Sequence, residues 1–93
     1  MSASEALGLG LVSEVVPDQD VVARALALAQ KIARQPPLAV RAIKETVLLG
    51  PDAPLPVALA LERKTFQLLF ASEDRTEGTR AFIERRQPQF RGK

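Results

Sequence analysis

Residues 21–51 read VVARALALAQKIARQPPLAVRAIKETVLLGP, and this stretch decides the fold class. At 100° per residue, Val21, Ala25, Leu28 and Ile32 share one stripe, with Val22, Leu26, Ala29 and Ala33 beside it. Arg24, Lys31, Arg34 and Gln35 take the other side. The spacing predicts an amphipathic helix from Val21 to about Gln35, with a wide apolar face for a core to cover. Pro36 and Pro37 stop it, and Pro37 suits the first turn of the next helix. That helix runs to Leu49 and ends at Gly50-Pro51. Leu38, Ala39, Ala42, Ile43, Val47 and Leu49 lie on its apolar arc, opposite Arg41, Lys44 and Glu45.

Working outward, Pro51, Asp52 and Pro54 make a rigid turn before a fourth helix over Leu55–Phe70. Leu55, Leu59, Phe66 and Phe70 share one of its faces, and Val57, Leu61 and Leu68 a second. A helix apolar on two faces has two surfaces to bury, which points to a subunit or domain contact, with a core wrapped around the helix as the alternative. Ser72 caps a fifth helix running to about Arg86, with Glu73, Asp74 and Glu77 at its positive end and Pro88 beyond. Gly78 inside that helix costs ~1 kcal/mol relative to Ala, so close packing or ligand approach is expected there. Phe82 and Arg85, three apart, fall on the same side as Gly78. Toward the N-terminus, Ser4 is the expected cap of a short helix through Leu7, which Gly8 or Gly10 ends. Leu11-Val12 and Val15-Val16 read as brief extended pieces, Pro17 breaks the chain, and Asp18 or Asp20 caps the helix at Val21. The fold class is therefore all-α, a small orthogonal helical domain of about five helices, with at most two residues of strand. Residues 1–17 form a short helix and connector and residues 18–93 the helical body of one domain.

Composition narrows the chemistry. The chain has 93 residues, enough for one small domain, and no His or Cys. This excludes Ser-His-Asp and Cys-His nucleophiles, thiolate metal sites and disulfides. No apolar run reaches the ~20 residues a membrane span needs, and the start is acidic and Ala-rich, so a cytoplasmic chain is expected without membrane partner or metal. The net charge of +2 is uneven: residues 78–93 carry five Lys/Arg (Arg80, Arg85, Arg86, Arg91, Lys93) against Glu84 alone. Such an end could meet phosphate, carboxylate or nucleic acid, but a solvated helix end with cations suiting the dipole is favoured. The carboxylates Glu73, Asp74 and Glu77 read as electrostatic capping rather than catalysis. Glu62, within an apolar arc, reads as half of a buried ion pair. Lys44 and Lys64 read as solvated. Gly8-Leu9-Gly10 makes a good helix stop and a very weak phosphate loop. The pairing of Phe82 and Phe90 with Arg85, Arg86 and Arg91 could hold a nucleobase by stacking and its phosphate by charge, against Phe82 as plain core.

Three segments carry a resemblance. Residues 2–17, SASEALGLGLVSEVVP, resemble the segment that follows the catalytic core of the enoyl-CoA hydratase (crotonase) family. Residues 70–93, FASEDRTEGTRAFIERRQPQFRGK, are similar to that family's C-terminal signature, and AQKIA, PPLAVRAIK and LER fit between in the same order. The resemblance implies the C-terminal helical part of a crotonase-like fold, which packs on an N-terminal core, builds a trimer or dimer of trimers and helps close the acyl-CoA site. It implies further that the two catalytic glutamates and the oxyanion-hole N–H groups lie upstream of the matched segment. The chain then looks like that helical domain alone, with no catalytic residue, no cofactor of its own and no hydratase activity by itself. By matching position, Phe66, Phe82 and Arg85 become the candidates for contact with the adenine and ribose-phosphate end of CoA. Many members have Lys where Arg85 stands; Arg keeps the charge and adds planar stacking. Hydration of 2-enoyl-CoA in β-oxidation is the implied reaction of the whole enzyme. The same domain from an isomerase or another acyl-CoA-processing relative, or a free-standing helical interaction module without nucleic-acid partner, are the alternatives.

Overall fold

The computed structural model describes residues 1–93 and contains five α-helices and no strand: α1 (Ala3–Gly8), α2 (Val21–Ala33), α3 (Pro37–Leu49), α4 (Leu55–Phe70) and α5 (Glu73–Ile83). Two 3-10 turns, Asp18–Asp20 and Gly50–Asp52, lead into α2 and out of α3. The chain divides into two compact units, residues 1–31 and 32–93.

In the first unit, α1 is capped by Ser2 and not by Ser4 as expected. Ser2 Oγ accepts from the Glu5 N–H while the Glu5 carboxylate accepts from the Ser2 N–H, a reciprocal box that Ser4, two residues on and already inside the helix, does not make. The Ser2 N–H, and after it the Ser2 side chain, hold the Glu5 carboxyl below its ordinary value. The helix ends on Gly10 at φ +72, with the Gly10 N–H on the Leu7 carbonyl and the Leu11 N–H on Ala6. Gly10 is thus the helix stop, and its left-handed backbone is the conformation glycine adopts without a Cβ penalty. Residues 11–17 form no strand. Their polar tether is Glu14, which accepts from Arg24 Nε on α2 at 2.8 Å.

In the second unit, Pro37 opens α3 as expected, and the Gly50–Asp52 turn follows its last residue. The turn packs on α3 and α4, which also pack on each other. Gly50 is not left-handed, and an added Cβ would lie 4.0 Å from that of Ala58, an ordinary contact, so neither backbone nor packing requires glycine there. The half-buried residues of these helices include Ala42 and Thr46 on α3 and Ala58, Leu61 and Thr65 on α4. Glu62 is exposed, so the expected buried ion pair does not form. Both apolar faces of α4 are largely open, so nothing buries the carboxylate between them.

The larger disagreement concerns the core. Ala81 is the sole buried apolar residue, and the α2 stripe expected to be covered is open at Val21, Leu26, Leu28 and Ile32. On α4, Leu55, Val57, Leu59, Phe66, Leu68 and Phe70 are exposed. The accessible surface is 7956 Å², where a folded monomer of this mass exposes about 5,300 Å². Burying such an excess takes a second surface larger than one side of a standard interface, about 800 Å². Sedimentation velocity on the chain alone is therefore expected to show concentration-dependent association in the micromolar range. A compact monomer at high concentration would contradict it.

Candidate functional site

The polar chemistry of the chain is concentrated around α5. Ser72 caps the helix as expected: its hydroxyl accepts from the Arg75 N–H and donates to the Leu69 carbonyl. The Arg75 guanidinium lies 4.0 Å from the centroid of the Phe70 ring, joining the start of α5 to the end of α4.

The helix ends at Ile83, earlier than the expected Arg86. Beyond it, Arg85 adopts φ +52, the only non-glycine residue with positive φ. The Arg85 N–H bonds to the Phe82 carbonyl and the Arg86 N–H to Ala81, the same paired closure that Gly10 makes after α1. Arg85 therefore leaves the helical register, and its expected alignment with Gly78 and Phe82 on one helical face is not what the structure shows. A left-handed backbone costs a residue with a Cβ about 1–2 kcal/mol, so neighbouring contacts must hold it.

Those contacts come from a C-terminal tail that turns back along α5. Glu77 receives two hydrogen bonds from Arg86, at 2.6 and 3.0 Å, and a third from the Gln89 N–H at 2.9 Å. Arg86 Nε also donates to Glu84. One turn earlier, Asp74, almost fully buried, accepts from the Arg91 and Gly92 N–H groups at 2.7 and 2.8 Å, while its own N–H donates to the Lys93 carbonyl. Between them Gly78 faces the Phe90 ring: a Cβ there would stand 3.4 Å from it. Gly78 is kept for close packing, one of the two expectations for it, and its neighbour belongs to the chain. An open cleft of about 650 Å³ runs along this seam, bordered by Asp74, Glu77, Arg80, Arg86, Gln89 and Arg91.

The Arg86 hydrogen bonds, then that of the Gln89 N–H, lower Glu77 from the ordinary 4.5 to about 2. A carboxyl depressed in the folded state contributes stability above its unfolded value, lost as pH falls through the folded one. The tail contact at Glu77 is thus expected to persist below pH 4 and fail near pH 2. Carboxyl NMR of Glu77 should give a midpoint near 2, moving toward 4.5 in Arg86→Ala; an unaltered midpoint at 4 or above would refute the contact.

The acidic cluster read as electrostatic capping is thus mainly a clamp for the tail. The signal in the sequence was an Asp and a Glu three apart on α5, followed by Gly78 and a lone Phe90 in an otherwise polar tail. Of the three nucleotide candidates, Phe66 pairs with Phe70, ring centroids 5.9 Å apart, and is largely exposed. Phe82 is 85% exposed, so it is not core. Arg85 is exposed and in no ion pair, whereas Arg86 is engaged by Glu77 and Glu84. Phe66 makes its ring contact with Phe70 and not with Phe82, and no cation–π contact joins it to Arg85. The basic end therefore presents less free charge than its composition suggested.

An all-helical chain with an open apolar surface and a clamped basic end is matched by known proteins over its whole length. The family profile described as enoyl-CoA hydratase/isomerase matches residues 1–93. The chain is 43% identical over 93 residues to 2,3-dehydroadipyl-CoA hydratase of Escherichia coli, all of this chain and 36% of that one. It is 45% identical over 92 residues to (E)-benzylidenesuccinyl-CoA hydratase of Thauera aromatica, 99% of this chain and 36% of the other. Among solved structures, an enoyl-CoA hydratase of Bacillus anthracis superposes with TM-score 0.94 at 38% identity, covering 100% of this chain and 36% of that one. An enoyl-CoA hydratase subunit of Geobacillus kaustophilus does so with TM-score 0.91 at 50% identity and the same coverage. The chain belongs to the enoyl-CoA hydratase/isomerase family. It spans about a third of the length of these relatives and corresponds to their C-terminal helical region.

Proposed function

We propose that residues 1–93 serve as the C-terminal oligomerisation and CoA-site-closing domain of a cytoplasmic enoyl-CoA hydratase. In this reading the whole enzyme adds water across the double bond of a 2-enoyl-CoA to give a 3-hydroxyacyl-CoA in fatty-acid β-oxidation. The observation that carries it is the open apolar surface of α2 and α4 in a chain spanning 36% of its hydratase relatives. A family core and further copies of the chain, in a trimer or dimer of trimers, are the surfaces that would cover it. The acid–base glutamates and the oxyanion-hole N–H groups would belong to that core, so the 93-residue chain alone is inactive.

Phe66, Phe82 and Arg85 are assigned to the nucleotide end of the acyl-CoA. Exposed Phe66 and Phe82 rings offer stacking faces for adenine, and the unpaired Arg85 guanidinium offers charge-assisted hydrogen bonds to a phosphate. In hydratase reconstituted from this chain and a family core, Phe82→Ala and Arg85→Ala are each expected to raise KM for crotonyl-CoA roughly tenfold, leaving kcat within about twofold. An unchanged KM in both variants would remove the assignment.

A further inference from the structure

We propose that Glu77 is a positioning residue, whose carboxylate holds the left-handed turn at Arg85 and thereby sets the direction in which the Arg85 guanidinium projects. The inference rests on the assignment of Arg85 to the nucleotide end of CoA, and deepens it. A non-glycine residue at φ +52 persists only where its surroundings fix it. Two backbone hydrogen bonds close the turn, from Arg85 to Phe82 and from Arg86 to Ala81. Gly10 makes the same closure without strain, so these bonds do not by themselves explain a residue with a Cβ there.

What differs at Arg85 is the grip on the following chain. Glu77 takes both Arg86 Nη1 and Nη2, and its Oε1 also accepts from the Gln89 N–H. Residues 86 and 89 are held by one carboxylate, with Pro88 between them fixing φ. The exit of the turn is then fixed relative to α5, whose Ala81 is buried. Asp74 repeats the arrangement further along the tail, at Arg91 and Gly92. Arg85 is left as the exposed residue of a turn pinned from the helix side. Its guanidinium is not spent on Glu77 or Glu84, which Arg86 satisfies. The division of labour between adjacent arginines is the physical content of the proposal: one is the bolt, the other is presented.

The test has two readouts. In the 93-residue chain, amide hydrogen exchange at Arg85, Arg86 and Gln89 should quicken at least tenfold in Glu77→Ala. In an Arg85→Gly background, where the left-handed turn is unstrained, the same substitution should change the Arg85 and Arg86 sites by less than about threefold. Should Glu77→Ala unfold the chain, Arg86→Ala, which leaves Glu77 on Gln89, takes its place with the same expectations. Equal effects in both backgrounds, or none, would overturn the proposal. In the reconstituted hydratase, Glu77→Ala should raise KM for crotonyl-CoA as Arg85→Ala does, and the double variant should be no worse than Arg85→Ala alone. A KM raised by Arg85→Ala but unmoved by Glu77→Ala, or additive effects, would also overturn it. A KM unmoved by Arg85→Ala, with the exchange result intact, would instead sink the nucleotide assignment and leave Glu77 as the holder of the turn.

Discussion

Replacing Asp74 with Ala is expected to lower the melting temperature of the chain by on the order of 10 °C and to free residues 87–93. Asp74 is the only buried charged residue, and both its oxygens are used, on the Arg91 and Gly92 N–H groups. Hydrogen bonds to a charged group contribute about 1.5–3 kcal/mol each, and their loss leaves N–H donors that must find water. For a domain of this size about 1 kcal/mol moves the melting temperature by ~4–8 °C. Asp74→Asn keeps the shape and one acceptor, and is expected to fall between the two. The measurement is thermal circular dichroism with hydrogen exchange at Arg91 and Gly92. Unchanged protection of those two amides in Asp74→Ala would show that the tail is held elsewhere.

The helices were legible because their signals are local. The apolar stripe of α2, Pro37 at the start of α3, Gly50-Pro51 after it and Ser72 before α5 are all statements about a few neighbouring residues. The errors fall where a distant or competing group decides. Ser2 caps α1 because Glu5 stands at the reciprocal position, although Ser4 looks equally suitable. The end of α5 could not be read from helical spacing because Arg85 turns left-handed with its neighbour held by Glu77, nine residues before Arg86 in the chain. The tail clamp joins residues 17 and 18 apart at Asp74, a separation with no periodic trace. The apolar faces were legible, but not their cover. Val21, Leu28, Leu59 and Phe70 spell out surfaces to be buried, and the second surface is absent from these 93 residues.

Turnover reads the missing cover most directly. The chain has no His or Cys, its carboxylates Asp74 and Glu77 are committed to backbone N–H groups and Arg86, and Glu62 stands exposed on α4. The decisive measurement is the loss of the enoyl absorbance of crotonyl-CoA, with the chain alone and after mixing with the separately produced remainder of a homologous hydratase such as that of Escherichia coli. Neither part is expected to give a rate above background, and their combination at least a hundredfold rise over it, with the chain co-sedimenting with the core. Steady turnover by the 93-residue chain alone would contradict it.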